Sequence, residues 1–380
     1  MTWLRRIAYV SGTRADFGLV ASTLQRLHVL PGVEVGILVT GMHLSTSFGH
    51  TADEIEATGL PVWARVPVDV DDRSPAAMSR AIGQAVLGFT AALEKQRPDL
   101  LLLLGDRGEM LAGAIAALHL GIPIAHLHGG ERSGTVDESV RHALTKLAHI
   151  HLVATDESRD RVVRLGEAAA HVHVVGAPSL DDIASRPLPP REHVLHKLGL
   201  PDGANYVLVL FHPVVQEADQ AGEQAGALLQ ALGRAAPGHH VVWLAPNADA
   251  GSADILRQAQ AAADGRLRLV THLPRNDYLD ALAEADVLTG NSSSGIIESA
   301  SFGTPVVNVG SRQRLRQRNA NIFDCEVDTV SIAKAVRGAL AHGRFPPANV
   351  YGDGHAGERI ARLLSGLPLP RQLLDKANAY

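Results

Sequence analysis

The chain has almost no cysteine: Cys325 is the only one in 380 residues. An internal disulfide and a cysteine-rich zinc site are both excluded, and a reducing compartment fits. Aromatic residues are scarce as well, at 4%. The core must therefore be built from Ala, Leu, Val and Ile packed where helices meet sheets, which favours α/β over a β-sandwich. Positive charge is not in excess, since 35 Lys and Arg face 40 Asp and Glu for a formal charge of −5. Such a chain gains nothing from counterion release, and it carries no basic stripe with interleaved aromatics, so nucleic acid is not an expected partner. Long apolar runs are missing too. The uncharged stretch from Met110 to Leu127 contains His119, Gly121, Pro123 and His126 and reads as helix, turn and strand rather than a membrane span. The apolar run Ile7-Ala-Tyr-Val10 after Arg5-Arg6 is too short for a signal-peptide core. The expected location is the cytoplasm, with no membrane partner.

What is present suits a folded protein. Hydrophobic residues make up 46% and charged residues 20%, a balance that can bury a large core. At about 100–200 residues per domain, the length predicts two. Short apolar runs alternate with helical patterns from end to end, the pattern of parallel sheets covered by helices on both faces. Strands are predicted at 7–10, 33–39, 100–104, 124–127, 151–154 and 172–175, with helices at 19–30, 76–95, 110–118 and 139–147. The five leucines at 100–104 have no polar alternation and predict a central strand buried on both faces. Three prolines in Pro187-Leu-Pro-Pro190 break the pattern and mark a linker. Strands then resume at 206–211, 241–244, 267–270, 287–288 and 306–309, with helices at 218–235 and 278–285. The predicted architecture is two Rossmann-like domains around a central cleft, residues 1–186 and 187–365, followed by a tail, 366–380, able to return to the first domain. No G-x-G-x-x-G follows a predicted strand, so a nicotinamide cofactor has no support.

In such sheets ligands bind outside the carboxyl ends of the strands. Ser11-Gly-Thr-Arg-Ala-Asp-Phe-Gly18 follows the first strand, and its hydroxyls and Arg14 suit a phosphate at a helix start. The other reading is a capping Asp16 paired with Arg14. Gly105-Asp106-Arg107-Gly108-Glu109 follows the leucine strand as either a catalytic acid or a solvated ion pair. The segment from His126 to Ser139 adds glycines that admit close backbone approach and the titratable His128, Glu131 and Asp137. In the second half, Asn291-Ser-Ser-Ser-Gly-Ile-Ile-Glu298 reads as a helix opening near Gly295, where amides and hydroxyls converge on a site for a diphosphate without metal. The alternative is a serine-rich cap with Glu298 in the first turn. His212 and Asn247 also follow strands and can face this cleft. Arg312-Gln-Arg-Leu-Arg-Gln-Arg318 comes straight after a strand, which favours a loop over the cleft to a solvated helix. The histidine pairs at 149/151, 171/173 and 239/240 stand beside no clustered carboxylate or cysteine, and no metal is expected.

Together, Ser11-Gly-Thr-Arg-Ala-Asp16, Thr40-Gly-Met-His-Leu-Ser45, Gly105-Asp-Arg107, His128-Gly-Gly-Glu131, Gly134-Thr-Val-Asp137, Arg141-His142, Phe211-His-Pro213, Asn291-Ser-Ser293 and Arg312-Gln313 resemble the hydrolysing UDP-N-acetylglucosamine 2-epimerases. These enzymes supply N-acetylmannosamine for sialic acid synthesis. The resemblance runs in order from about residue 7 to residue 325. It implies a GT-B fold, a UDP-sugar held mainly by the C-terminal domain, no metal or other cofactor, and a homo-oligomer. Non-hydrolysing relatives typically read Gly-Thr-Arg-Pro-Glu and Glu-Ala-Gly-Leu-Arg where this chain has Ala15-Asp16 and Gly130-Glu131, which points to the hydrolysing branch. Position by position, the resemblance implies that Arg14, His212, Asn247, Ser292, Ser293, Glu298 and Arg312 contact UDP, with Glu298 accepting from ribose hydroxyls. It likewise implies Asp106, Glu131 and Asp137 as sugar-side acids, with His43 and Arg107 beside them. Leu315 stands where many members have glycine. Open alternatives are the same reaction on UDP-N,N'-diacetylbacillosamine, a non-hydrolysing 2-epimerase, a GT-B glycosyltransferase and a UDP-sugar sensor.

Overall fold

The five leucines form a strand, β4 (Leu100–Leu104), and all of them are buried. In the computed structural model, which describes residues 4–380 apart from 73, 135, 185, 248 and 263, β4 lies at the middle of a seven-stranded sheet. On one side it has β1 (Arg5–Ser11), β2 (Val33–Thr40) and β3 (Val62–Val66). On the other stand β5 (Ile124–Leu127), β6 (Ile150–Val153) and β7 (Val172–Val174). A second sheet is built from β8 (Tyr206–Leu210), β9 (His240–Leu244), β10 (Leu267–Val270), β11 (Val287–Gly290), β12 (Val306–Val309) and β13 (Ile322–Cys325), in the order β10-β9-β8-β11-β12-β13. Both sheets are parallel throughout, so all strand ends of a sheet point the same way, and the crossovers within each sheet carry helices except the one from β12 to β13, which is a loop. This is the predicted pair of Rossmann-like units in the GT-B arrangement. Thr135, inside one of the motifs above, lies outside the described residues.

Two strands are absent from the sequence prediction, β3 and β13, and each is the edge of its sheet. Edge strands are covered on fewer sides, so they need no continuous apolar run. Four of five residues in β3 and all four in β13 keep some solvent exposure. β3 is nevertheless pinned by shape. A Cβ on Gly36 of β2 would fall 1.9 Å from the Trp63 ring, so the indole occupies the space that glycine leaves. The predicted helix over 218–235 is also shorter, Ala221–Ala235, because Glu217 is non-helical within the turn that precedes it.

The C-terminal helix Ala356–Gly366 packs with the first sheet, not the second: Ala356, Ile360, Ala361 and Leu364 share a core with β1 and β2. The chain has thus crossed back before the predicted boundary at 365. Both helix ends are held by the first unit. The Asp181 carboxylate accepts from the amides of Ala356 (2.9 Å) and Gly357 (2.7 Å), while Arg5 donates to the carbonyls of Leu364 (2.9 Å) and Leu367 (2.6 Å). Farther on, the Lys376 ammonium donates to the carbonyls of Thr145, Lys146 and Ala148, closing the C-terminal end of the helix Val136–Leu147. Replacing Asp181 with Ala leaves two buried amides without an acceptor. The expected loss of stability is about 2 kcal/mol. Urea unfolding of the variant measures it, and an unchanged midpoint would show that the carboxylate does not hold the helix.

Candidate active site

At the end of β1, Thr13 caps the short helix Arg14–Gly18. The Asp16 carboxylate accepts from the amides of Gly12 (3.0 Å) and Thr13 (2.7 Å) and from the hydroxyls of Thr13 (3.0 Å) and Ser11 (2.5 Å). Asp16 is therefore a capping residue, yet Arg14 does not pair with it. Arg14 instead reaches the Thr271 carbonyl of the second unit (3.3 Å). Because the Ser11 hydroxyl donates to Asp16, His43 Nε2 is the donor to Ser11 (2.9 Å), and Nδ1 accepts from Thr51 (2.8 Å). His43 is wholly buried with both nitrogens occupied. Burial holds its pKa down at about 4 and pushes that of Asp16 up to about 6. His43 thus fixes the loop from beneath and does not open on the cleft.

After β4 the chain turns at Gly105, at a φ of 81°, and presents Asp106. Arg141, on the helix Val136–Leu147, pairs with the Asp106 carboxylate and donates to the Glu131 carbonyl (3.2 Å) and the Ser133 hydroxyl (3.3 Å). Burial, with Arg312 nearby, lowers the Arg141 pKa to about 9. His126 ties the same parts together, donating from Nε2 to the Gly105 carbonyl (2.7 Å) with Nδ1 beside the Thr145 hydroxyl (3.3 Å). Glu131, 3% exposed, receives His128 Nδ1 on one oxygen (2.5 Å) and Arg316 on the other. Asp137 lies four residues before Arg141 on the same helix, so both side chains face one way.

In the second unit, β11 ends at Gly290, where a Cβ would meet the Leu210 carbonyl oxygen at 2.0 Å. Only glycine permits this approach. The Asn291 amide group then clasps the neighbouring strand end, accepting from the His212 amide and donating to its carbonyl, both at 2.8 Å. Ser292 caps a helix that starts at Ser293, two residues before the predicted opening at Gly295. Gly295 serves packing instead, since its Cβ would lie 2.5 Å from Leu288. Glu298 has no exposed surface, and its oxygens are taken by Arg275 (2.5 Å) and the Ser294 hydroxyl. His212 Nδ1 accepts from the Asn247 amide (3.4 Å), and the Asn247 side chain donates to Asp249 (2.6 Å). Burial, then Arg312, holds the His212 pKa at about 3.

The two sets of strand ends face each other, and opposite charges meet between them. Arg107 of the first unit lies 3.0 Å from Asp249 of the second and 3.5 Å from Glu109. Burial works to lower the Arg107 pKa, but Asp249, Glu109 and Asp137 together raise it, so the guanidinium stays charged. From the other side Arg312 approaches Asp137 (3.8 Å) and Arg316 pairs with Glu131. Arg312 and Gln313 both donate to the Asn291 carbonyl (3.2 Å), and the Leu315 amide reaches the Ser133 carbonyl (3.4 Å). The arginine-rich segment thus crosses the cleft, with Leu315 seated against Gly134.

Of the predicted site residues, Asp106, Arg107, Glu131, Asp137, Arg14, His212, Asn247 and Arg312 come together in this cleft beside Ser292 and Ser293. His43 and Glu298 sit behind it. Sequence reasoning named Arg141 and Arg316 only within motifs and gave them no role, and it did not name Asp249 or Arg275. Arg141 carried a signal, its spacing from Asp137. Asp249 and Arg275 act by pairing with residues far away in the chain, which no local pattern reveals. The assembled cleft offers fixed cations and a capped helix start for a diphosphate, with carboxylates facing them. That combination can stabilise a departing anion and move a proton at the same centre.

A family model described as UDP-N-acetylglucosamine 2-epimerase matches residues 25–365. The UDP-N,N'-diacetylbacillosamine 2-epimerase (hydrolyzing) of Legionella pneumophila is 46% identical over 378 residues, covering 99% of this chain and all of the relative. A UDP-N-acetylglucosamine 2-epimerase of Neisseria meningitidis is 32% identical over 365 residues and 95% of each chain. In fold, the chain is similar to Methanocaldococcus jannaschii UDP-GlcNAc 2-epimerase, solved with UDP-GlcNAc and UDP (TM-score 0.75, 16% identity, 95% and 99% of the two chains).

Three histidines of the first unit, His43, His126 and His128, are held neutral by burial at about 4, 3 and 4. Below pH 6.5 the unfolded chain binds protons that the fold refuses, so stability is complete above that value and is lost as pH falls towards 4. Asp16 acts in the opposite sense between about 4 and 6, joined by Asp181 and Asp182, whereas His149 and His212, held down by burial at about 4 and 3, add to the loss. The expected net loss between pH 7 and pH 5 is on the order of 4 kcal/mol. Urea midpoints across this range test it, and a midpoint that holds or rises towards pH 5 would contradict the assignment.

Proposed function

The chain belongs to the UDP-N-acetylglucosamine 2-epimerase family, and on that premise we propose that it is a hydrolysing 2-epimerase releasing UDP and a C2-inverted sugar. The observation that carries this reading is the meeting of Asp106, Glu131 and Asp137 with the Arg312 and Asn291–Ser293 face in one cleft. UDP-N,N'-diacetylbacillosamine is the favoured substrate. The relative named for it is 46% identical, against 32% for the one named for UDP-N-acetylglucosamine, which reverses the order taken from the sequence resemblance. Both sugars carry the same reacting C1 and C2 and differ at C4 and C6.

The C2 proton of a hexosamine is not adjacent to a carbonyl, so a base alone cannot remove it near neutrality. The C1–O bond to UDP must break as well, its electron pair leaving on the diphosphate. A carboxylate takes the C2 proton, and the C–H electrons form the double bond of a 2-acetamidoglucal. Water then adds its oxygen at C1 and gives up a proton to a base, while C2 receives a proton from the opposite face. Acid and base on opposite sides require carboxylates on separate loops, and Asp106 and Glu131 follow different strands. We assign proton transfer to these two, with Asp137 supporting and His43 positioning the neighbouring loop. Arg14, Arg107, His212, Asn247, Ser292, Ser293 and Arg312 are assigned to the nucleotide and its departing charge. Glu298 meets the ribose only if Arg275 yields one of its oxygens.

Incubation with each UDP-sugar in deuterated water is expected to yield UDP and free sugar with deuterium at C2, faster from UDP-N,N'-diacetylbacillosamine. Free sugar without deuterium would exclude proton exchange at C2, and an epimerised UDP-sugar left intact would exclude hydrolysis. Asp106→Asn and Glu131→Gln are each expected to lower turnover by about 10²–10⁴ while UDP still binds. Near-normal sugar release by both variants, followed by NMR, would refute the assignment of these carboxylates.

A further inference from the structure

Arg316 is one of four arginines at 312, 314, 316 and 318, and the reaction above leaves it without a task. Its place in the cleft is specific. The side chain is 7% exposed and pairs with the equally buried carboxylate of Glu131. Its Nε donates to Gln313 Oε1 (2.5 Å), and Gln313 Nε2 donates to the Asn291 carbonyl (3.2 Å). One edge of the guanidinium is thus tethered to the loop assigned to the phosphates, and its outer end lies on a carboxylate assigned to proton transfer.

These two attachments conflict during catalysis. A guanidinium on a buried carboxylate favours the ionised form and makes it a poor proton acceptor. The other charged groups around Glu131 do not take over this role. His128, from the same loop, touches the second oxygen but is kept neutral by burial. Arg141 bonds the main-chain carbonyl of Glu131, and Arg161 that of Gly130. Tyr351 is hydrogen-bonded to Arg316 and Arg318 lies near it, and neither is paired with Glu131. Among the described residues, Arg316 is the one fixed cation paired with this carboxylate.

Resting on the 2-epimerase reading of the site, we propose that Arg316 is an exchange residue. Before substrate enters it neutralises Glu131, and the incoming diphosphate draws it away, so that Glu131 becomes a competent base only when a leaving group is in place. The tether through Gln313 keeps the guanidinium near Asn291 and lets its outer nitrogens change partners without a large movement. The main-chain amide of Leu315 donates to the Ser133 carbonyl (3.4 Å), which anchors the segment to the first unit and keeps this transfer short.

Linkage gives a test that needs no turnover. If UDP and Glu131 compete for Arg316, removing the Glu131 charge must tighten UDP binding, and the gain must depend on Arg316. Titration calorimetry with UDP on the full-length protein is expected to give about tenfold tighter binding for Glu131→Gln than for the unsubstituted chain. Arg316→Gln is expected to bind more weakly, Arg316→Lys in between, and Arg316→Gln with Glu131→Gln no more tightly than Arg316→Gln alone. If Glu131→Gln does not fold, Glu131→Asp, which withdraws the carboxylate by one methylene, is expected to give a smaller gain that also vanishes without Arg316. No gain in either Glu131 variant, or a gain that persists without Arg316, overturns the exchange. Failure of the unsubstituted chain to bind UDP overturns the site reading instead.

Discussion

Charge pairing across the cleft is the constraint on which the rest of the site depends. Arg107 meets Asp249, Arg316 meets Glu131 and Arg312 approaches Asp137, and in each case the partners come from different units. An isolated ion in such a place would be costly to bury, and a paired one is tolerable only with good geometry and added hydrogen bonds. The added bonds are present: Arg107 is flanked by Glu109, Arg316 by Gln313, and Glu131 by His128. Buried ion pairs contribute little net stability, so their presence here is better understood as function held ready. The same arginines that neutralise carboxylates in the closed cleft are suited to neutralise phosphates.

Beneath these pairs lies a scaffold that is nearly all aliphatic. With few aromatic side chains, the sheets are covered by alanine-rich helices that approach closely, and close approach requires glycine at particular points. Gly290 lets the end of β11 touch β8, which brings Asn291 within reach of both His212 amide groups. Gly295 lets the capped helix lie on Leu288, and so sets the direction in which its free amides point. Hydroxyls, amides and arginines then sit on elements whose positions are fixed by packing. Preorganisation of this kind is what makes electrostatic stabilisation of a leaving group effective.

The first unit handles its titratable groups differently. His43, His126 and His128 are buried, neutral and bonded at ring nitrogens, so they orient loops rather than exchange protons near neutrality. His126 is the clearest case. By joining the Gly105 carbonyl to Thr145 it fixes the Asp106 turn relative to the helix that supplies Arg141 and Asp137. That helix is closed at its other end by Lys376 from the C-terminal tail. The placement of Asp106 and Asp137 thus depends on contacts made by the last residues of the chain.

The sequence by itself determined the fold class, both sheets apart from their edges, and most of the residues that meet in the cleft. These features have local causes: apolar runs buried on two faces, glycines at strand ends, and the rule that parallel strands present their carboxyl ends to a ligand. β3 and β13 escaped because an edge strand can be half polar. Tertiary structure decided which charges meet. Arg141 with Asp106, Arg107 with Asp249 and Arg316 with Glu131 are pairs formed by the packing of elements 35 or more positions apart. It also decided that His43 and Glu298, chemically apt on paper, stand behind the cleft with their polar atoms already engaged. Residue type and spacing report what a side chain can do, whereas burial and partnership, which arise only when distant segments pack, determine whether it is free to do it.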